Sequence, residues 1–488
     1  MTFDATGLIG PQPGHSAFLA VNHEKAHGYS WDNSPTGTGK TFVSLAIIRH
    51  LKTPFVVVCP KLAIPQWKEW IKVWGLENLC KLVINHEKIS RGNTPWYKHI
   101  SPDAYRKLHG LADAVEVPLF QRAYHKFPAD WFIVIDECHK CRGVETLCAG
   151  WLMNLKRQHY RMHMLSATQA TTPGDMRAFG FVCDEHDGTM KDFKRFQIES
   201  GGEFLGKWGR IDFHSEKPES MAKLEVVRNR LFNERKIGSR MKRSDFGDIF
   251  PKSQVVLEAY DMGAASVAIN NVYNDMQVEL LRLEERCKDY RNHILAIITK
   301  ARRQAELLKV PTMVEMTSDF VEEGRSVVIF PNYTETLQCL YERLCKLLGK
   351  DKVGRIFGEQ TVKERISDIA DFQADKKIVT VANILAGGQC INLHDLIGTR
   401  PRSSLINPSY SAVAVIQSAG RIDRAYAKTD VYQRFVLAAG TIEEHVAHRF
   451  HDRNRFMTLL NDGTLTDADL IPTDLLSKFA GGLTQFIK

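Results

Sequence analysis

The stretch that most constrains this chain is residues 34–41, SPTGTGKT, set between a polar turn and the apolar run TFVSLAIIRHL, which reads as a helix. Gly37 and Gly39 let backbone N–H groups turn inward around a phosphate, and the helix N-terminus behind them favours the same negative charge. Lys40 would reach the outer phosphates, and the Thr41 hydroxyl would ligate Mg²⁺. Ser34 stands where the usual pattern has glycine. A glycine-rich turn ahead of a helix is the plain alternative, but Gly-Lys-Thr opening an apolar helix favours the phosphate loop. Ser34, Gly37, Thr38, Gly39, Lys40 and Thr41 are therefore the candidate nucleotide-binding residues.

What the loop serves depends on the rest of the chain. At 488 residues there is room for roughly three domains. An apolar fraction of 44% and a charged fraction of 25% are ordinary for a globular protein. No run approaches the roughly 20 apolar residues of a membrane span, so no membrane partner is expected. The first residues lack a basic segment followed by an apolar one, and ten cysteines are scattered without a framework. Both features suit a reducing, cytoplasmic setting, with a host nucleus also compatible. The net charge of +8 permits nucleic-acid binding without requiring it.

Along the chain, residues 17–25 read as helix. TPFVVVCP, after the loop's helix, reads as a buried parallel strand closed by Pro60. Pro65 then opens a helix carrying Trp67, Trp70, Ile71 and Trp74 at i, i+3, i+4 and i+7. A core-facing stripe explains that spacing better than a base-stacking surface. KLVINHE, WFIVIDE (131–137) and MHMLSAT (162–168) are further buried strands. Strands alternating with helices imply a parallel sheet whose chemistry gathers at the carboxyl ends of its strands, where IDE and SAT fall.

From about residue 183 to 250 glycine, phenylalanine and charge dominate. The basic cluster Arg235, Lys236, Arg240, Lys242 and Arg243 reads equally as a phosphate-backbone contact or a solvated linker. Residues 266–310 keep helical spacing throughout, from Met276 to Ala301, and Pro311 is expected to stop them. The strand–helix rhythm restarts with SVVIFPN (326–332), a helix to Leu348, KIVTVAN (377–383), SSLINP (403–408) and VYQRFVL (431–437). The expected division is a first α/β unit to residue 250, with an insertion near 184–250, and a connector with a helical arm over 251–310. A second α/β unit would follow over 311–460, and a tail over 461–488.

Two constellations complement the loop. Asp136 and Glu137 end a strongly apolar strand, so Asp136 would hold Mg²⁺ and Glu137 would orient or deprotonate an attacking water. QSAGRIDR places Gln417, Arg421 and Arg424 on an expected helix with the arginines at i and i+3, where their forks can stabilise charge on a transferring phosphoryl group. Cys138, Cys141 and Cys148 around His139 mimic zinc spacing, but two of these residues belong to the hydrolytic strand end. His445, His448 and His451 recur on an expected helix face that reads as solvated or partner-facing.

The order of these motifs resembles superfamily 2 helicases. SPTGTGKT, VVVCPKLAIPQWKEW, IDECH, LSAT, GGQCINL, QSAGRIDR and GTIEEHV are similar in detail to the SWI/SNF-type, Snf-like branch, in scattered blocks over residues 34 to 450. The resemblance implies an α/β fold of two RecA-like lobes, with parallel sheets flanked by helices and a helical insertion between them. It also implies ATP and Mg²⁺ as cofactors, and hydrolysis driving translocation on double-stranded DNA. By position it gives nucleotide binding to Gly37, Gly39, Lys40 and Thr41, and the hydrolytic pair to Asp136 and Glu137. Ser166 and Thr168 match the segment that couples hydrolysis to lobe movement. Gln417, Arg421 and Arg424 complete the site, with Arg424 the first choice for an arginine finger. Cys138 departs from the family's usual alanine, and Gln12 lies near the region of an adenine-contacting glutamine in a different local setting. The branch's accessory modules are cut down, so a minimal motor of viral or bacterial type is expected. Strand unwinding, fork reversal or annealing on forked or single-stranded DNA is the alternative outcome, and a DNA-binding scaffold with a vestigial ATPase a lesser one. Protein partners are not legible.

Overall fold

The apolar runs form the parallel strands of two sheets in a computed structural model. It describes residues 3–24, 28–205, 210–214, 217–286, 291–384, 391–409, 411–441, 443, 455–458 and 460–462. The chain divides into two units, one built on Met1–Gly247 and one starting at Asp248.

In the first unit the strands are β1 (Tyr29–Asp32), β2 (Phe55–Cys59), β3 (Cys80–Asn85), β4 (Tyr97–His99), β5 (Ala123–His125), β6 (Phe132–Asp136), β7 (Arg161–Leu165), β8 (Gly202–Leu205), β9 (Arg210–Phe213) and β10 (Gly238–Ser239). Six of them make one parallel sheet in the order β10-β1-β7-β6-β2-β3, while β4–β5 and β8–β9 are small antiparallel pairs. β2 is buried along its whole length and β6 is buried up to Asp136, which is why both read as continuous apolar runs. With β6 central, Asp136 emerges at the middle of the sheet's carboxyl edge. The helix Lys40–Leu51 is apolar on nearly every side, burying Val43 to Ile48.

Two parts of this unit depart from the expected boundaries. Residues 184–250 are more than an insertion, because β10 adds to the sheet edge with Trp31 opposite Gly238. The described residues 455–458 and 460–462 are helical and belong here rather than to the second unit or a tail. Phe456 and Leu460 enter the first unit's core, Phe456 meeting Phe213 edge-on at 4.8 Å.

The second unit holds β11 (Ser253–Tyr260), β12 (Ser326–Phe330), β13 (Val353–Ile356), β14 (Val379–Ala382), β15 (Arg402–Ile406) and β16 (Val431–Ala438), parallel in the order β11-β16-β15-β12-β14-β13. The expected connector at 251–310 therefore contains a sheet strand, β11, paired with β16 along its full length. β11 is an edge strand with Val255 exposed, so it lacks the continuous apolar signature of a central strand. The expected single arm is two helices, Ala264–Arg286 and Arg291–Leu308, packed along each other. Pro311 opens the next helix, Val310–Glu322, instead of ending the arm, because a proline at the first turn gives up an N–H that has no helical partner.

Candidate active site

The phosphate loop leaves the carboxyl end of β1. Gly37 and Gly39 have φ of 83° and 84°, a left-handed conformation that glycine adopts without penalty. At Gly39 an added Cβ would lie 2.3 Å from Nε2 of Gln12. That amide donates to the Thr38 carbonyl at 2.9 Å and its oxygen accepts from the Ile9 N–H at 3.0 Å, so the buried Gln12 is clamped onto the loop. Lys40 folds back over the loop, donating from Nζ to the carbonyls of Ser34 (2.7 Å) and Pro35 (2.9 Å). Burial lowers the Lys40 pKa, opposed by the nearby carboxylates of Asp32, Glu137 and Asp136.

Beneath the loop lies a charge that no motif announced. Asp32 is fully buried at the end of β1, accepts from the Ser34 N–H at 2.9 Å, and lies 3.2 Å from Nε2 of His15. Burial alone would raise its pKa, but His15, Lys40 and the Ser34 bond together hold it well below the ordinary carboxylate range. His15 also bonds Ser239 of β10 at 3.0 Å, tying the loop's base to the sheet edge.

Asp136 and Glu137 diverge as a strand end allows. Glu137 has a φ of 52°, a left-handed torsion that costs a non-glycine residue about 1 kcal/mol or more and turns the chain away from the strand direction. Asp136 accepts from the Trp67 indole N–H at 2.9 Å, and its carbonyl accepts from His86 at 2.7 Å. Burial, and then the neighbouring Glu137 charge, push the Asp136 carboxyl up to about 6. Two adjacent carboxylates, one raised by burial and by the other's charge, are the donor set a hard divalent cation relieves.

His139 joins this pair to the next strand. Its Nδ1 lies 3.2 Å from Glu137 Oε2 and 3.2 Å from Ser166 Oγ, which in turn accepts from the Thr168 N–H at 3.1 Å. Loop, acidic pair and the SAT segment are thus brought together in one unit. The tryptophan stripe is mainly packing: Trp67 and Ile71 are buried, and Trp70 and Trp74 close on Phe42 of the loop's helix. Of the basic cluster, Arg235 pairs with Glu185 at 3.2 Å and Arg240 with Asp462 at 2.8 Å, so these two are structural. Cys138 and Cys141 are buried thiols, and among the described residues no three His, Cys, Asp or Glu side chains converge as metal ligands.

In the second unit Gln417 and Arg421 are buried and Arg424 is half-buried. Gln417 lies on the helix Ala412–Ala419, but Gly420 caps that helix and both arginines follow it, Arg421 in a turn and Arg424 in irregular backbone, not at i and i+3 on its face. They still converge, Arg421 Nη1 and Arg424 Nη2 donating to the Ile391 carbonyl at 3.3 and 3.2 Å. Most of GGQCINL, most of GTIEEHV, and His445, His448 and His451 lie outside the described residues.

No sequence motif marks Asp32, His15, His86, Asn33 or Gln169 as site residues, and Trp67 reads in sequence as packing rather than as a partner of Asp136. Only Trp67 carried a signal, its place in the Pro-Gln-Trp segment; the others act through partners distant in sequence.

A left-handed glycine loop under an apolar helix, with an acidic strand end beside it, defines a P-loop nucleotide-hydrolysing protein. The family profile described as "Type III restriction enzyme, res subunit" matches residues 18–169. A protein of Acanthamoeba polyphaga mimivirus, "Putative ATP-dependent RNA helicase L364", is 29% identical over 454 residues, covering 89% of this chain and 80% of the relative. "DNA repair protein rhp54" of Schizosaccharomyces pombe is 34% identical over 130 residues, covering 26% of this chain and 15% of that protein. Among solved structures, a Sulfolobus solfataricus SWI2/SNF2 ATPase core in complex with dsDNA aligns over 90% of this chain and 89% of its own, at 16% identity and a TM-score of 0.35. DUF1998 helicase MrfA bound to DNA and AMPPNP aligns over 92% of this chain and 50% of its own, at 14% identity and a TM-score of 0.49. Over residues 18–169 and along most of its length the chain is thus similar to proteins named for helicase or restriction-enzyme subunits, which supports an ATP-hydrolysing enzyme of the superfamily 2 helicase type.

Proposed function

We propose that this ATPase spends hydrolysis on movement along double-stranded DNA. The observation that carries the reading is the His139 bridge between Glu137 and Ser166, because it links the acidic pair to the segment that follows β7. A basic net charge of +8 and the resemblance to the Snf-like branch support a duplex track, gripped through its phosphates.

Roles follow from chemistry. Ser34, Gly37, Thr38 and Gly39 present the loop backbone to the phosphates. Lys40 exchanges the carbonyls of Ser34 and Pro35 for phosphate oxygens, a better partner for its charge. Thr41 and Asp136 would hold Mg²⁺, which supplies charge neutralisation at the phosphates. Glu137 accepts the proton of the attacking water, and His139 keeps its carboxylate in register with Ser166. Ser166 and Thr168 pass the change in that bond to the rest of the unit. By the family resemblance, Arg424 and Arg421 would supply positive charge to the transferring phosphoryl group, and Gln417 a neutral hydrogen bond.

The mimivirus relative is named an RNA helicase, which favours RNA as a second reading. ATPase rates compared across duplex, forked and single-stranded DNA and RNA decide between them. Duplex DNA should stimulate most, with rate lost in Lys40→Ala and Glu137→Gln. Stimulation by RNA alone would favour the second reading, and indifference to every nucleic acid would sink both. Displacement of a third strand from a triplex, without unwinding of a fork, separates translocation from strand separation.

A further inference from the structure

Asn33 is the residue before the phosphate loop, it is fully buried, and it is gripped from four directions. Its N–H donates to the Ser239 carbonyl at 2.9 Å, and its own carbonyl accepts from Arg240 Nη1 at 2.6 Å. Its side-chain oxygen accepts from Gln169, the residue after the SAT segment, at 2.6 Å. Its side-chain amide donates to Oδ1 of Asn461 at 2.7 Å. The next residue, Asp462, lies 2.8 Å from Arg240 Nε, the same arginine that holds the Asn33 carbonyl. Both contacts come from the late helical segment seated in the core by Phe456 and Leu460.

We propose that Asn461 and Asp462 are positioning residues for ATP binding: the late segment sets the strap at residues 33–35 through Asn33 and Arg240. The strap supplies the carbonyls on which Lys40 rests, so its placement decides where that ammonium starts and how the loop meets a phosphate. Without Asn461 the Asn33 amide is a buried donor with no acceptor there, and the strap must shift to satisfy it. Linkage then requires the reverse effect: if the seated segment tightens ATP binding, bound ATP tightens the segment by the same factor. The inference rests on the ATP-binding reading of residues 34–41 and is independent of which nucleic acid the motor uses.

The test is binding of a fluorescent ATP analogue with Mg²⁺ to the full chain and to Asn461→Ala, Asn33→Ala, their double variant and Asn461→Asp, each with a thermal melt. Asn461→Ala should weaken binding about five- to tenfold, as loss of a buried partner does. Asn33→Ala, which also releases Gln169, should weaken binding at least as much, and the double variant should be no weaker than Asn33→Ala, since the bond to Asn461 is already gone there. Asn461→Asp retains an oxygen facing the Asn33 amide and should bind within about twofold of the unsubstituted protein. Should Asn461→Ala fail to fold, Asp462→Ala replaces it and should weaken binding in the same direction by releasing Arg240. Hydrogen exchange at residues 455–462 should slow when the analogue is added. Unchanged affinity, losses that multiply in the double variant, or exchange indifferent to nucleotide would overturn the inference. No binding by the unsubstituted protein would overturn the loop's assignment as well.

Discussion

The indole N–H of Trp67 donates to Oδ2 of Asp136 across 2.9 Å, so a buried polar atom on a largely apolar helix face is aimed at the acidic strand end. The bond fixes which carboxylate oxygen remains open, while His86 holds the backbone of the same residue.

Trp67→Phe keeps most of the buried ring and removes only this donor. The Mg²⁺ concentration for half-maximal ATPase activity should rise roughly tenfold, the usual effect of losing a partner that orients a metal ligand. The melting temperature should move by only a few degrees, roughly. A Mg²⁺ titration beside a thermal melt checks both.

Gly39→Ala puts a Cβ at a φ of 84° and 2.3 Å from the Gln12 amide. The torsion alone costs about 1–2 kcal/mol, and Gln12 must also leave the loop. ATP affinity should fall by roughly tenfold or more, measured by equilibrium binding. Gln12→Ala in the same chain should recover part of that loss, since it removes the clash but not the torsion.

Burial lowers the pKa of six described histidines of the first unit, four of them strongly. The shift lowers His86 and His163 to about 4 and His125 to about 3, and takes His23 well below its ordinary value. Each binds a proton in the unfolded chain below about pH 6.5 but not in the fold, so its stabilising contribution is present above that pH. It is lost as pH falls toward the folded values, at up to about 1.4 kcal/mol per pH unit each. Asp136, pushed up to about 6, has the opposite slope, losing stability as pH rises from the ordinary carboxylate value to about 6. The histidines outnumber it, so nucleotide-free protein should melt at steadily lower temperature from pH 6.5 to 4.5. His125→Phe should flatten that decline.

Phe456→Ala removes a fully buried ring from the first unit's core. It should cost about 3–5 kcal/mol, the range for deleting a buried phenylalanine, and urea unfolding should report it as destabilisation of the unit that begins at Met1.

Much of this protein was local and therefore legible. The torsions of Gly37 and Gly39, the apolar runs of β2 and β6, and the acidic pair closing β6 follow from residues within a few positions of one another. The misreadings share a cause. β11 is an edge strand with an exposed face, so its pattern is weak until β16 stands beside it. Gly420 ends the helix before Arg421, and what gathers both arginines is the Ile391 carbonyl from a separate segment. The helical register of 266–310 was visible, but not its division into two packed helices.

By itself the sequence determined a phosphate loop, an acidic strand end and two α/β units, because periodicity and glycine torsions act within one element. Only the tertiary structure decided what holds them in place: Asp32 beneath the loop, Trp67 on Asp136, His139 between Glu137 and Ser166, and Asn461 on Asn33. Apart from His139–Glu137 and Asp32–Ser34, those bonds join residues far apart in the chain, up to 428 positions for Asn461 and Asn33. Their geometry is set by how the sheet and core pack, which no local pattern encodes.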